Sequence, residues 1–414
     1  MSKYPAEWSS KPLGKIYPKI VVGYVGNVND HYCSSEEGVP FYRTLNIRDG
    51  FFRHSEHPYV TQAFNEKNKK SQIQNNDILI ARVGANLGMV CKAEGIDGLA
   101  NMANAIIIKT NGVTSANADF YTSFLLSPMG KNQIFSGAAG GAQGVFNTKL
   151  TQEIIVPVPP LPEQRKIAKI LSTWDKAIST TEKLIETSKQ QKKALMQQLL
   201  TGKKRLIDPE TGKAFEGEWE EEEIGNLLKE VKRPVEWNDD ADYHLLSVKR
   251  RSEGIVLREV LNGHKILTKK MNLAKEGDFL ISKMQVVHGA SGLVTSEFDN
   301  CHISGSYISL VPKSSDLLDI KFFSWLSKQK KMYHQAFLCS YGVHIEKMTF
   351  NFKLYLKEKI SLPSNVFEQQ KIASVLTASD KEIEVLEAKL AHFKQEKKAL
   401  MQQLLTGKRR VHVE

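Results

Sequence analysis

Stepping alternately four and three residues from Ile167 lands on Leu171, Trp174, Ile178, Thr181, Ile185, Ser188, Lys192, Leu195 and Leu199, and seven of these ten positions are apolar. The same walk from Ile372 visits Leu376, Ser379, Ile383, Leu386, Leu390, Phe393, Lys397, Leu400 and Leu404, with eight of ten apolar. A 3.5-residue period is that of a helical seam packed on another helix. Prolines cluster before each stretch (Pro157, Pro159, Pro160 and Pro162; then Pro363), and Gly202 and Gly407 follow each. Proline suits a helix start and glycine the residue past its end. The pattern therefore predicts two helices of roughly 39 residues, or ~60 Å each. They are expected to pack antiparallel, with a pseudo-twofold axis between them. Lys192 and Lys397 interrupt the seam at matching places, and each is expected to lay its stem along it and carry its charge out to water.

The matching is literal. Glu163-Gln164-Arg165-Lys166-Ile167-Ala168 returns as Glu368-Gln369-Gln370-Lys371-Ile372-Ala373, 205 positions later, and 25 of 44 positions from 163 to 206 are identical. One unit has been duplicated. Gln190, Lys193, Gln197 and Gln198 lie off the seam and still recur, as Gln395, Lys398, Gln402 and Gln403. A helix face that meets the same partner twice would keep them, so these eight are the candidate partner-binding residues. The flanking sequence repeats faintly. Tyr42–Arg48 answers Tyr243–Lys249, Asn76–Arg82 answers Gly277–Lys283, Gly88-Met89-Val90 answers Gly292-Leu293-Val294, and Glu7-Trp8 answers Glu218-Trp219. These runs are short, β-rich and bounded by turn formers, while Asp119–Leu126 and Ile320–Lys330 read as helices. The result is two similar mixed α/β (α+β) domains whose intervening loops differ. Gly137–Gly144 reads as a flexible loop, and the acidic run Glu220–Glu223 as the cap of a helix start.

Composition narrows the class. The 414 residues allow two or three domains, and 41% hydrophobic with 25% charged residues is ordinary for a globular protein. No stretch approaches the ~20 apolar residues of a membrane span, and no apolar leader precedes the first polar residues, so a cytoplasmic location and no membrane partner are expected. Cys33, Cys91, Cys301 and Cys339 are scattered singly, unlike a disulfide framework or a zinc site. The net charge is +11, of which residues 163–206 carry +7 and residues 207–367 carry −1. The excess sits on the helices, a modest pointer to nucleic acid.

Catalytic signatures are missing. There is no Asn/Asp-Pro-Pro-Tyr/Phe run, no GxGxxG after a strand, and no HExxH among the eleven histidines. Thr201-Gly202-Lys203 and Thr211-Gly212-Lys213 lack the upstream glycine and the following Ser or Thr of a phosphate loop. Their position favours helix capping.

The Pro-rich entry Pro159-Pro160-Leu161-Pro162 into Glu163-Gln164-x-x-Ile167-Ala168, its return at Glu368, and the Leu-Leu-Thr-Gly-Lys ends at 199–203 and 404–408 together resemble the specificity (S) subunits of Type I restriction-modification systems. Val39-Pro40-Phe41-Tyr42-Arg43 with Asn46-Ile47-Arg48-Asp49-Gly50 is similar to the start of that family's target-recognition domain, and the resemblance covers the whole chain. It implies target-recognition domains at 1–160 and 205–364, with conserved spacer helices at 161–204 and 365–410. It further implies a non-catalytic subunit that reads a split double-stranded DNA target, one domain per half-site, with the helix pair as ruler. Two methyltransferase subunits and two restriction subunits would dock on it. S-adenosylmethionine, ATP and Mg2+ would belong to those partners, and no cofactor or metal to this chain. Base edges are read by polar side chains on loops. The candidates are Arg43, Arg48, Arg53, His54, Arg82, Asn86, Gln143 and Asn147 in the first domain. In the second they are Lys249, Arg250, Arg251, Lys283, Gln285, His288, Tyr341 and His344. Lys67, Lys69 and Lys70 suit phosphates or solvent. A coiled-coil scaffold that ignores DNA and an enzyme with its own methyltransferase site are the competing readings.

Overall fold

A computed structural model of the chain describes residues 4–139, 145–342, 344 and 348–413. The chain forms two compact units, Met1–Glu182 with Ala388–Glu414, and Lys183–Glu387. The predicted helices run as Leu161–Leu199 and Val366–Leu404. Each contributes one part to each unit.

The first unit is built on an antiparallel sheet in the order Ile20–Val22, Ala105–Ile108, Ile78–Ala81, Val90–Lys92. Ile78 to Ala81 and Ala105 to Ile108 are buried on both faces, which is why these strands read as unbroken apolar runs rather than alternating ones. A second sheet orders Asn101–Met102, Val39–Tyr42, Tyr59–Val60 and Tyr32–Cys33, its first pair parallel. Helices Ala118–Leu126 and Pro128–Ala139 close one side through Phe120, Tyr121, Phe124 and Ile134. Strand Ser9–Pro12 pairs with Ile155–Val158 at the entry to the long helix.

The second unit repeats the plan. Its antiparallel sheet runs Leu228–Val231, Tyr307–Pro312, Phe279–Ser282, Ser291–Leu293. Its mixed sheet runs Ile255–Asn262, Asp242–Val248, His302–Ser304, Met271–Leu273. Helices Ile320–Ser327 and Lys330–Leu338 cover the antiparallel sheet, and Trp219–Glu223 pairs with Lys359–Pro363.

Within each unit the two long-helix segments run antiparallel. In the first, Asp175 meets Lys397 at 2.5 Å, Glu182 meets Lys394 at 2.7 Å, and Trp174 sits edge-on to Phe393. In the second, Lys189 meets Glu387 at 2.6 Å and Lys192 pairs with Asp380. All twenty predicted seam positions are buried or half-buried.

Four expectations are corrected. The ammonium groups of Lys192 and Lys397 do not simply point to water, because each finds a carboxylate on the opposite helix. Glu220–Glu223 lies in a strand, and Glu223, which precedes the short helix Ile224–Leu227, makes no side-chain capping bond. Of the loop expected at 137–144, Gly137 to Ala139 end a helix, and 140–144 lie outside the described residues. The match of Gly88 to Gly292 is out of register. Val90 pairs with Ile80 and Ser291 with Ile281, so the counterpart of Gly88 is Gly289.

Candidate nucleic-acid interface and helix joints

The repeated Glu-Gln at each helix start is a joint. Gln164 accepts the Asn117 backbone N–H at 2.9 Å and donates to the Pro159 carbonyl at 2.8 Å. Gln369 accepts the Asp319 N–H at 2.9 Å and donates to the carbonyls of Leu317 and Pro363 at 3.1 and 2.9 Å. Asn117 and Asp319 are themselves helix N-caps, so one glutamine fixes two helices against each other. Glu368 is wholly buried and takes a two-pronged bond from Arg205, at 2.6 and 2.5 Å. Glu163 takes the Trp8 indole N–H at 2.9 Å and an ion pair with Arg410. Arg205 and Arg410 stand at the same 205-residue offset as the helices. That repetition was visible in the sequence, but the contacts that explain it were not.

The Thr-Gly-Lys ends at 201–203 and 406–408 are caps, whereas Thr211-Gly212-Lys213, expected to cap as well, lies in a turn between bridged Ile207 and Ala214 and ends no helix. Gly202 and Gly407 adopt φ of 69° and 68°, in the left-handed region. A Cβ on Gly202 would lie 2.9 Å from the Trp219 ring, and one on Gly407 would lie 2.5 Å from Pro5. The Thr201 and Thr406 hydroxyls donate to the carbonyls of Gln197 and Gln402 at 2.7 and 2.6 Å.

In the first unit six of the eight candidate reading residues, Arg43, Arg48, Arg53, His54, Arg82 and Asn86, fall into two neighbouring loops. Arg48 donates to Asn86 Oδ1 at 2.8 Å, and Asn86 donates to the Thr44 carbonyl at 3.2 Å, which brings Arg48, Asn86 and the Arg43–Asn46 turn together. Buried Asn46 donates to the carbonyls of Arg53 and Ser55, both at 2.9 Å, and holds the loop's shape. Arg43 is exposed. Arg53 is ion-paired with Glu56, and the His54 imidazole lies 3.3 Å from the Tyr42 hydroxyl. Arg82 keeps its Nε buried without a hydrogen-bond acceptor among the described residues. Asn147 caps helix Thr148–Glu153 by accepting the Leu150 N–H at 3.0 Å. Gln143 lies outside the described residues. Lys67, Lys69 and Lys70 are exposed.

In the second unit Lys249, Arg250 and Arg251 form the tip between strands Asp242–Val248 and Ile255–Asn262, and all three are exposed. The Ser252 N–H donates to the Gly289 carbonyl at 2.8 Å and joins this tip to the turn that carries Gln285 and His288. Gln285 turns its carbonyl oxygen inward. Lys283 donates to the Gly305 carbonyl at 2.8 Å. Exposed Tyr341 belongs to a hairpin of its own with Thr349–Phe350 and accepts a bond from Asn351, and His344 is also exposed.

Gln190, Lys193, Gln197, Gln198, Gln395, Lys398, Gln402 and Gln403 are all exposed. Lys193, Gln197 and Gln198 border an open notch of about 710 Å³ with Lys203, Lys328, Lys330 and Lys331. Among the described residues no group of three His, Cys, Asp or Glu is placed to hold a metal. Burial pushes the Cys91 thiol up to about 12 and that of Cys339 up to about 11, so both stay protonated and poorly nucleophilic near neutrality.

A family model for the Type I restriction modification DNA specificity domain matches the chain twice, over residues 24–190 and 216–395. The Type I restriction enzyme MjaVIII specificity subunit of Methanocaldococcus jannaschii is 26% identical over 386 residues, which span 90% of this chain and 86% of its own length. That archaeon's MjaX specificity subunit, so designated provisionally, is 27% identical over 433 residues, spanning 99% and 96%. Among solved structures, the S subunit from M. genitalium superposes with a TM-score of 0.57 at 13% identity over 96% of both chains. The HsdS subunit from Thermoanaerobacter tengcongensis does so with 0.52 at 16% identity over 98% of both. Matched by the family model in both halves, the chain belongs to the Type I restriction-modification DNA specificity subunits.

Proposed function

We propose that this specificity subunit reads a split duplex sequence, one half-site per unit, and that the paired long helices set the unread gap. The observation that carries the reading is the likeness of the two scaffolds beside the unlikeness of their loops. The order of the antiparallel sheet, the parallel strand pair of the second sheet and the placement of the helices repeat. The loops that carry Arg48 and Asn86 in one unit, and Arg250, Gln285 and His288 in the other, differ in sequence around those residues. Two equal scaffolds with different loops suit two different targets. The repeated exposed face at Gln190, Lys193, Gln197 and Gln198, and again at Gln395, Lys398, Gln402 and Gln403, suits one partner met twice. We assign that face to a pair of methyltransferase subunits, with two restriction subunits completing the complex. S-adenosylmethionine, ATP and Mg2+ belong to those subunits in this reading, and the methyl and nuclease chemistry with them.

The test lengthens the helices. Four residues inserted at matched points of both helices add ~6 Å, nearly two base pairs at about 3.4 Å each. Mapping of methylated sites should then show a wider gap with both half-sites unchanged. Altered half-site bases with an unchanged gap would end the ruler reading. A scaffold indifferent to DNA would show no salt-dependent duplex binding, whereas phosphate contacts require it.

A further inference from the structure

Helices Pro128–Ala139 and Lys330–Leu338 occupy equivalent places, each following a helix whose N-cap is held by a glutamine of a long helix. Lys131 and Tyr333 are the fourth residues of these two helices. In the first unit Lys131 Nζ reaches Asp49 Oδ1 at 2.5 Å and the Gly88 carbonyl at 2.6 Å. The same Asp49 oxygen accepts the Val90 N–H at 2.9 Å. In the second, the Tyr333 hydroxyl lies 2.6 Å from Ser252 Oγ, and the Ser252 N–H donates to the Gly289 carbonyl.

Gly88 and Gly289 are structural counterparts, and both have positive φ, 81° and 71°. Each lies against an aromatic ring of the gripping helix. An added Cβ would sit 2.8 Å from the Phe135 ring at Gly88, and 2.4 Å from the Tyr333 ring at Gly289. Each helix therefore grips two loops at once. In the first unit these carry Arg48 and Asn86, and in the second Arg250, Arg251, Gln285 and His288. The second grip works against resistance. Arg251 and Ser252 have φ of 58° and 52°, a backbone costly to residues with a Cβ. Such a backbone persists only where its surroundings over-determine it.

We propose that Lys131 and Tyr333 are equivalent positioning residues. Lys131 holds the first unit's reading loops through an ion pair, and Tyr333 holds the second unit's through a bond between two hydroxyls. The assignment rests on the split-target reading above. The two grips differ in what weakens them. Asp49 is half exposed, so the first pair is open to screening by salt. The second carries no charge.

The experiment maps methylated sites in cells that express the full chain with its methyltransferase partner. Wild type should give a split site; a contiguous site would remove the underlying reading, whatever the variants do. Given a split site, Lys131→Met should relax base discrimination in one half roughly tenfold, the worth of a good base contact, and leave the other half unchanged. Tyr333→Phe, which keeps the ring against Gly289, should relax the other half only. Lys131→Arg should retain discrimination. Asp49→Ala, which removes the carboxylate that Lys131 grips, and Ser252→Ala, which removes the hydroxyl that Tyr333 grips, act from the loop side and decide the matter if a helix variant fails to accumulate. Ser252→Ala combined with Tyr333→Phe should be no worse than either alone. Relaxation of both halves by one substitution, or folded variants with wild-type discrimination in both, would overturn the proposal.

Discussion

Glu368 has no exposed surface, and the Arg205 guanidinium is its charged partner. Without it a carboxylate stays in the interior unpaired, so Arg205→Ala should cost about 3–5 kcal/mol, read from urea unfolding. At the equivalent joint Glu163 also holds the Trp8 indole, and its guanidinium partner is more exposed. Arg410→Ala should therefore cost less in the same measurement. The reverse order would show that the indole does not share the work. His302 offers a pH test. Burial lowers its pKa from the ordinary 6.5, so the unfolded chain takes up a proton first on acidification. The stability involved is present above pH 6.5 and is lost as the pH falls from there through the lower folded-state value. His302→Gln, with no proton to gain, should flatten that part of a stability-against-pH curve. These single positions were unevenly legible. Arg205 and Arg410 stand out as a repeat, but no linear pattern tells that they lock onto Glu368 and Glu163. Asn147 caps a helix and Arg53 pairs with Glu56, neither of which the linear sequence announces. Such commitments depend on where a turn places its neighbours.

The long helices were the most legible elements, because their period, proline entry and glycine exit all agree. Every seam position predicted from the period is at least half-buried. Leu376 is fully buried, and Leu376→Ala should lower stability by about 2–5 kcal/mol in thermal or urea unfolding. Lys397→Met, which loses a partly exposed ion pair but keeps the packed stem, should change it by less than about 1 kcal/mol. A large loss there would mean that the lysine sets the register of the seam. Strand Trp219–Glu223 was not legible. Its four consecutive glutamates hide the period of two, and its partner Lys359–Pro363 supplies most of the buried side chains. The glycine at 88 was aligned to the wrong counterpart because its match rested on a three-residue likeness. Only the strand ladder, with Val90 on Ile80 and Ser291 on Ile281, fixes that register.

For the chain taken entire, the duplication explains why residues far apart in sequence complete one unit. The first unit closes its core with Leu400, Met401, Leu404 and Leu405 against Trp8, Ile167 and Leu171. The second unit draws all its residues from the uninterrupted stretch Lys183–Glu387. Synthesis therefore finishes the domains in the opposite order to their start. While the ribosome is still making the second, the first must wait with Trp8, Ile167 and Leu171 lacking their last cover, an apolar face open to chaperones or to a wrong neighbour. A stop codon after Glu387 would leave the later-made half whole and the earlier-made half permanently unfinished.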